Sequence, residues 1–192
     1  MPRCVFAESR LAMPRIEVVD YDRGWPVTFE SLRSILWPAL ADVASSIEHV
    51  GSTSVPGLAA KPIIDISIVV PDSSDVPLGI ERLATLGYVH QGDLGLKGRE
   101  AFAHPDGLPR HHLYLCPRDS VALANHLALR DYLRTHPEAV REYGELKKRL
   151  AQRFPDDIDS YIDGKTTMLV SMLRATGFPE DQLRQIERAN RK

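Results

Sequence analysis

Residues 61–70 constrain this chain more than any other stretch. They carry Ile63, Ile64, Ile66, Ile68, Val69 and Val70, a β-branched run closed by Pro71 and Asp72. Such side chains favour extended backbone, where their stiff χ1 costs little. Being apolar on both faces, the run predicts a central strand covered on two sides. One residue breaks the pattern. Asp65 sits between Ile64 and Ile66, and a carboxylate buried there must be paired, hydrogen-bonded or bound to metal.

The flanking sequence supplies partners for that strand. Residues 16–19 predict a first strand, and residues 27–36 carry helix spacing, with Pro38 placed to cap, kink or end the helix. Residues 47–50 predict a strand and residues 78–86 a helix closed by Gly87. Weaker strands fall at 88–90 and 101–104, around a turn containing Gly92, Gly95 and Gly98, and residues 112–116 form another. From Ser120 the apolar period becomes 3.6, through Val121, Ala124, Leu127, Ala128 and Leu133. Pro137 then fits the first position of a second helix capped by Thr135 or His136, with Leu146, Leu150 and Phe154 on its stripe. A third helix is expected over 157–176 and a short polar one from 180 onward. The fold class is therefore α+β. A mixed β-sheet with flanking helices is expected over 13–118, followed by a C-terminal helical subdomain over 119–192. Residues 1–12 read as a poorly ordered tail, with Met13 the expected start of translation.

Charge and composition narrow the function. The 192 residues hold 24 Lys+Arg against 26 Asp+Glu, a formal net charge of -2, which argues against bulk nucleic-acid binding. No apolar run reaches the ~18 residues of a membrane span, and the N-terminus has no apolar segment of a secretory signal. The two cysteines, Cys4 and Cys116, read as reduced thiols of a cytoplasmic protein.

The residues that can carry chemistry gather around residues 49–67. Gly51-Ser52-Thr53-Ser54 is a small-residue loop after a strand, offering N–H groups and a hydroxyl to an anion. Residues 65 and 67 share a sheet face, so Ser67 accompanies Asp65. On the strand at 112–116, His112, Tyr114 and Cys116 also share a face. If the two strands are neighbours, His112 can hold a metal, contact a phosphate or act as a general base. Asp93 and Glu100 are the nearest acidic alternatives. Lys61, Arg99, Arg110 and Lys165 are the cations available to a phosphate. His126, Arg130, Asp131 and Arg134 lie on helix spacing and read as a structural ion-pair cluster. A plainer reading stays open, in which Gly51 and Gly57 only make turns and Asp65 only anchors a loop.

Several of these segments, in order, resemble the GrpB (UPF0157) family of the nucleotidyltransferase superfamily. They are Val19-Asp20-Tyr21-Asp22 with Trp25-Pro26, the run from Glu48 to Leu58, Lys61-Pro62-Ile63-Ile64-Asp65-Ile66, Arg110-His111-His112-Leu113, the run from His126 to Arg134, and Gly164-Lys165. The resemblance implies a polymerase-β-like core in which Gly51, Ser52 and Thr53 open a nucleotide site. Asp65 would be the first of two metal carboxylates, with Ser67 in the second place, and Lys61 and Lys165 would meet the phosphates. It implies a nucleotidyltransferase using Mg²⁺ or Mn²⁺ and acting on a nucleotide or other phosphate-bearing small molecule, with the acceptor undefined. A non-catalytic nucleotide or anion sensor stays open because Ser67 is not acidic. So does an adaptor domain with a protein partner, since the family occurs fused to dephospho-coenzyme A kinase.

Overall fold

The computed structural model describes residues 15–191; the expected tail, Met13 and Cys4 lie outside them. The fold is α+β, a mixed five-stranded sheet with helices on both faces. Its elements run α1 (Trp25–Leu40), β1 (Ser46–Val50), β2 (Ile64–Val70), α2 (Val76–Thr85), β3 (Val89–His90), β4 (Glu100–Ala103), β5 (His111–Pro117), α3 (Val121–Thr135), α4 (Pro137–Arg153), α5 (Ile158–Ala175) and α6 (Glu180–Asn190). The sheet order is β1-β2-β5-β4-β3. Strands β2 and β5 are parallel and the other pairs antiparallel.

The β-branched run becomes β2, in second place in the sheet, and alternation sorts its side chains. Ile64, Ile66, Ile68 and Val70 join Leu113 and Leu115 of β5 in the main core, against Phe29, Leu32, Leu36 and Leu40 of α1 and Leu83 of α2. The opposite face carries Asp65, Ser67 and Val69, in register with His112, Tyr114 and Cys116. Only its far end is apolar, where Val69 and Cys116 pack on Leu123 of α3. The run is therefore apolar on one face and mixed on the other.

Two local expectations differ from the structure. Residues 16–19 form no strand: Ile16 donates to the Pro155 carbonyl, and Val19 exchanges a single pair of backbone bonds with Ala60. Their apolar side chains pack on helices instead, Ile16 joining Leu150, Ala151 and Tyr161. Helix α1 also runs past Pro38 to Leu40. Leu36 and Leu40 are both fully buried, and that packing holds the last turn despite the proline. The helical half follows its caps. The Ser120 hydroxyl accepts from the Leu123 N–H, and the Asp157 carboxylate from the Ser160 N–H.

Candidate functional site

The site lies on the mixed face of the sheet, where β2 and β5 begin. Gly51 ends β1 with φ +67° and opens the short 3₁₀ turn Ser52–Ser54. A Cβ at Gly51 would run into the Asp65 carboxylate, so glycine is required on both counts. The turn is tied down from two sides. Thr53 Oγ1 lies 3.0 Å from His49 Nε2, and Arg134 donates twice to the Ser54 carbonyl, at 2.9 and 3.2 Å.

Asp65 and His112 are direct register partners on adjacent parallel strands, and Asp65 Oδ1 lies 2.8 Å from His112 Nδ1. Burial would raise the Asp65 pKa. The hydrogen bond and charge of His112, with His126 and Lys61, outweigh it and bring the carboxyl below its usual 3.8. The second acidic position is filled differently. Ser67 is fully buried, with Oγ 3.0 Å from His126 Nδ1, and burial lowers the His126 pKa to about 4. Ser67 is thus closed off by a neutral imidazole.

Around Asp65 lies a cavity of about 310 Å³, lined among others by Ser52, Thr53, Lys61, Arg99, His112, Tyr114, Lys147, Tyr161 and Lys165. Lys61 and Lys165 stand over the Tyr161 ring, 5.8 and 5.0 Å from its centroid, and Arg99 stands over Tyr114 at 4.5 Å. Arg99 Nε is buried without a hydrogen-bond partner among the described residues. Lys147 is only 2% exposed, and its Nζ lies 2.8 Å from Ser52 Oγ. Burial and the neighbouring cations lower both inner amines, Lys147 well below 10.5 and Lys165 to about 8. The close approach of α4 and α5 depends on Gly164, whose Cβ would press on Leu150.

Most of the residues singled out from sequence converge here: Ser52, Thr53, Lys61, Asp65, Arg99, His112, Tyr114 and Lys165 line one cavity, with Gly51 directly behind Asp65. Arg110 lines a neighbouring cavity of about 220 Å³ with Arg15 and Glu17, sharing Lys61 and His112 with the first. Ser67 lies beneath the surface. The acidic alternatives stand elsewhere. Glu100 pairs with His90, and Asp93 accepts from the Gly95 N–H in a turn. Of the helical cluster, Arg130 pairs with Glu48 and Asp131, whereas His126 turns to Ser67. Lys147 and Tyr161 were not singled out; both sit among the apolar stripe residues of their helices.

These donors do not fit a paired-ion site. Two-ion phosphoryl transfer needs anionic oxygens clamping ions ~3.5–4 Å apart. Here one carboxylate is engaged by an imidazole and ringed by ammonium groups. Among the described residues, no three His, Cys, Asp or Glu side chains gather as ligands. The same set suits an anion with several oxygens.

The comparisons agree with the sequence resemblance. The family model described as GrpB protein matches residues 15–175. The chain belongs to the GrpB family. UPF0157 protein YqkA of Bacillus subtilis is 37% identical over 79% of this chain and 44% of its own length. UPF0157 protein PA4798 of Pseudomonas aeruginosa is 39% identical over 83% of this chain and 66% of its own. The chain thus spans less than two thirds of either relative. The crystal structure of GrpB from Enterococcus faecalis superposes with a TM-score of 0.74 at 35% identity, covering 88% of this chain and 98% of that one. A Cid1 poly(U) polymerase bound to MgGTP overlaps only loosely, with a TM-score of 0.45 at 14% identity. That overlap says nothing about function. Every charged residue of the cavity, from Lys61 to Lys165, falls inside the GrpB match.

Proposed function

We propose that this GrpB-family chain binds a nucleotide or another phosphate-bearing small molecule in the cavity around Asp65. One observation carries the reading: three cationic side chains, Lys61, Arg99 and Lys165, line it with the Lys147 amine against the single carboxylate of Asp65. Desolvated cations without partners are costly, and a phosphate group would neutralise several at once through charge-assisted hydrogen bonds. The donor set supports binding or sensing over transfer by a pair of Mg²⁺ or Mn²⁺ ions.

Transfer without paired ions is favoured by a separate feature. His112 is held through Nδ1 by Asp65, its side chain is 47% exposed, and it borders both cavities. Placed so, its Nε2 would take a proton from an acceptor hydroxyl.

Calorimetry with ATP, GTP, CTP and UTP, in EDTA and then with Mg²⁺ or Mn²⁺, tests the reading. The expected result is binding in EDTA, weakened by Lys165→Met. Absence of binding under every condition would refute it and leave an adaptor role. Pyrophosphate release would add the transfer reaction.

A further inference from the structure

Lys147 and Ser52 form a pair that anion binding alone does not explain. Lys147 stands on α4 and its amine is enclosed. It faces the Tyr143 ring at 4.6 Å on its own helix and has one hydrogen-bond partner among the described residues, Ser52 Oγ at 2.8 Å. The charged groups facing it from elsewhere are Lys165 on α5, Lys61 ahead of β2, and Asp65 on β2. Two of the three are cations, and Asp65 is already bonded to His112. An amine so placed is stable when neutral, and a neutral amine accepts a proton from a hydroxyl. Ser52 is held in place for this: it follows Gly51, whose positive φ turns the chain, in a 3₁₀ turn whose final carbonyl is clamped by Arg134. Its side chain lines the open cavity.

We infer that Ser52 and Lys147 form a nucleophile–base dyad, in which Ser52 attacks an activated phosphorus centre. The substrate class is a phosphoric anhydride or activated phosphoester. In the step, an Oγ–P bond forms and the bond from phosphorus to its leaving group breaks. The hydroxyl proton moves to Lys147 Nζ, and the leaving group departs with the electron pair. Lys165 and Lys61 face the charge that develops on the phosphoryl oxygens. Serine–lysine pairs are a known alternative to serine–histidine activation.

The substrate class rests on the phosphate-binding reading above, but the test needs no nucleotide. Incubate the full chain with a fluorophosphonate probe, follow labelling by intact mass, and map the labelled residue. Attack by Ser52 releases fluoride and leaves the phosphonyl group on Oγ. The expected result is one label, on Ser52, forming faster as pH rises from 6 to 9. Lys147→Arg, a long basic side chain that stays protonated and so cannot take the proton, should slow it by at least about 100-fold, and so should Lys147→Met. Melting curves confirm that each variant is folded. If a variant fails to fold, label position and pH profile on the unaltered chain still decide. An unlabelled wild type, a label elsewhere, or Lys147→Met reacting at the wild-type rate would overturn the dyad. Nucleotide binding without labelling removes the dyad and leaves the binding reading standing; labelling at Ser52 without nucleotide binding does the reverse.

Discussion

The two faces of strand β2 are built from one heptapeptide and obey different rules. Toward α1 and α2, Ile64, Ile66, Ile68 and Val70 pack into the main apolar core, beside the buried imidazoles of His49 and His111, and shape and volume decide most of the fit. Toward the cavity, each polar group of the strand has a named partner: Asp65 has His112 and Ser67 has His126, and the turn behind them is held by Lys147 and Arg134. The first face is maintained for stability and the second for an arrangement of charge. Substitutions on the two faces should therefore separate folding from binding.

The largest expected effect lies on the apolar face. Ile66 is fully buried at the centre of the sheet, and Ile66→Ala should cost about 3–4 kcal/mol through lost transfer energy and a residual cavity. Denaturant unfolding measures this, and nucleotide affinity in the still-folded variant should stay within about twofold. A parallel loss of affinity at full folding would mean that the two faces are not separable.

Lys147→Met makes the opposite prediction. Replacing an enclosed amine by a thioether of similar length removes the cost of burying a polar head group, and the fold should gain about 1 kcal/mol. Nucleotide affinity should fall in the same variant. A destabilised Lys147→Met would make the lysine structural.

Asp65→Asn should destabilise the fold by about 1–2 kcal/mol at pH 7, because it weakens a charge-assisted bond to His112. Read from its neighbours in sequence alone, Asp65 between Ile64 and Ile66 is a desolvated carboxylate, and its removal would be expected to stabilise the fold. In the structure the neighbouring isoleucines face the opposite side of the sheet. The Asp65 side chain is 27% exposed beside an imidazole, so its charged form is favoured. Unfolding curves of the two proteins at pH 7 distinguish these views.

That reversal shows what the sequence could convey. The sheet's central strands, the helix limits set by Ser120 and Pro137, and the meeting of Ser52, Asp65 and His112 follow from β-branching, turn chemistry and alternation, all local signals read with a family resemblance. The innermost lysine did not. Lys147 occupies the i+4 position from Tyr143 and i−3 from Leu150, so it lies on the buried stripe of α4. A lysine on an apolar stripe is the available signal, but snorkelling to solvent is its commoner outcome. Only the packing of α4 against Ser52 and α5 closes that route. His126 was likewise assigned to an ion-pair cluster by helix spacing, which cannot show that β2 lies beneath it.

The smallest effect at neutral pH, and one that grows only on acidification, comes from a histidine on each face. His49 is in register with Ile66, stacks on Phe29 at 4.6 Å and is buried. His126 covers Ser67 on the other side. Burial, opposed in part by Asp65, lowers both to about 4 from an ordinary value near 6.5. Between pH 6.5 and 4 the unfolded chain takes up a proton at each histidine while the folded chain takes up neither. Folding stability therefore falls as pH falls through that window, with a slope approaching two protons from this pair and a further part from His111, whose pKa burial also lowers. Below that, protonation of Asp65 removes a further contribution. His49→Gln and His126→Gln should each remove up to about one proton of that slope, measured by denaturant midpoints from pH 7 to 4.5. If His126→Gln leaves the slope intact while His49→Gln reduces it, the imidazole over Ser67 is reached by solvent and the cavity extends to Ser67. The second acidic position would then be open to a ligand after all.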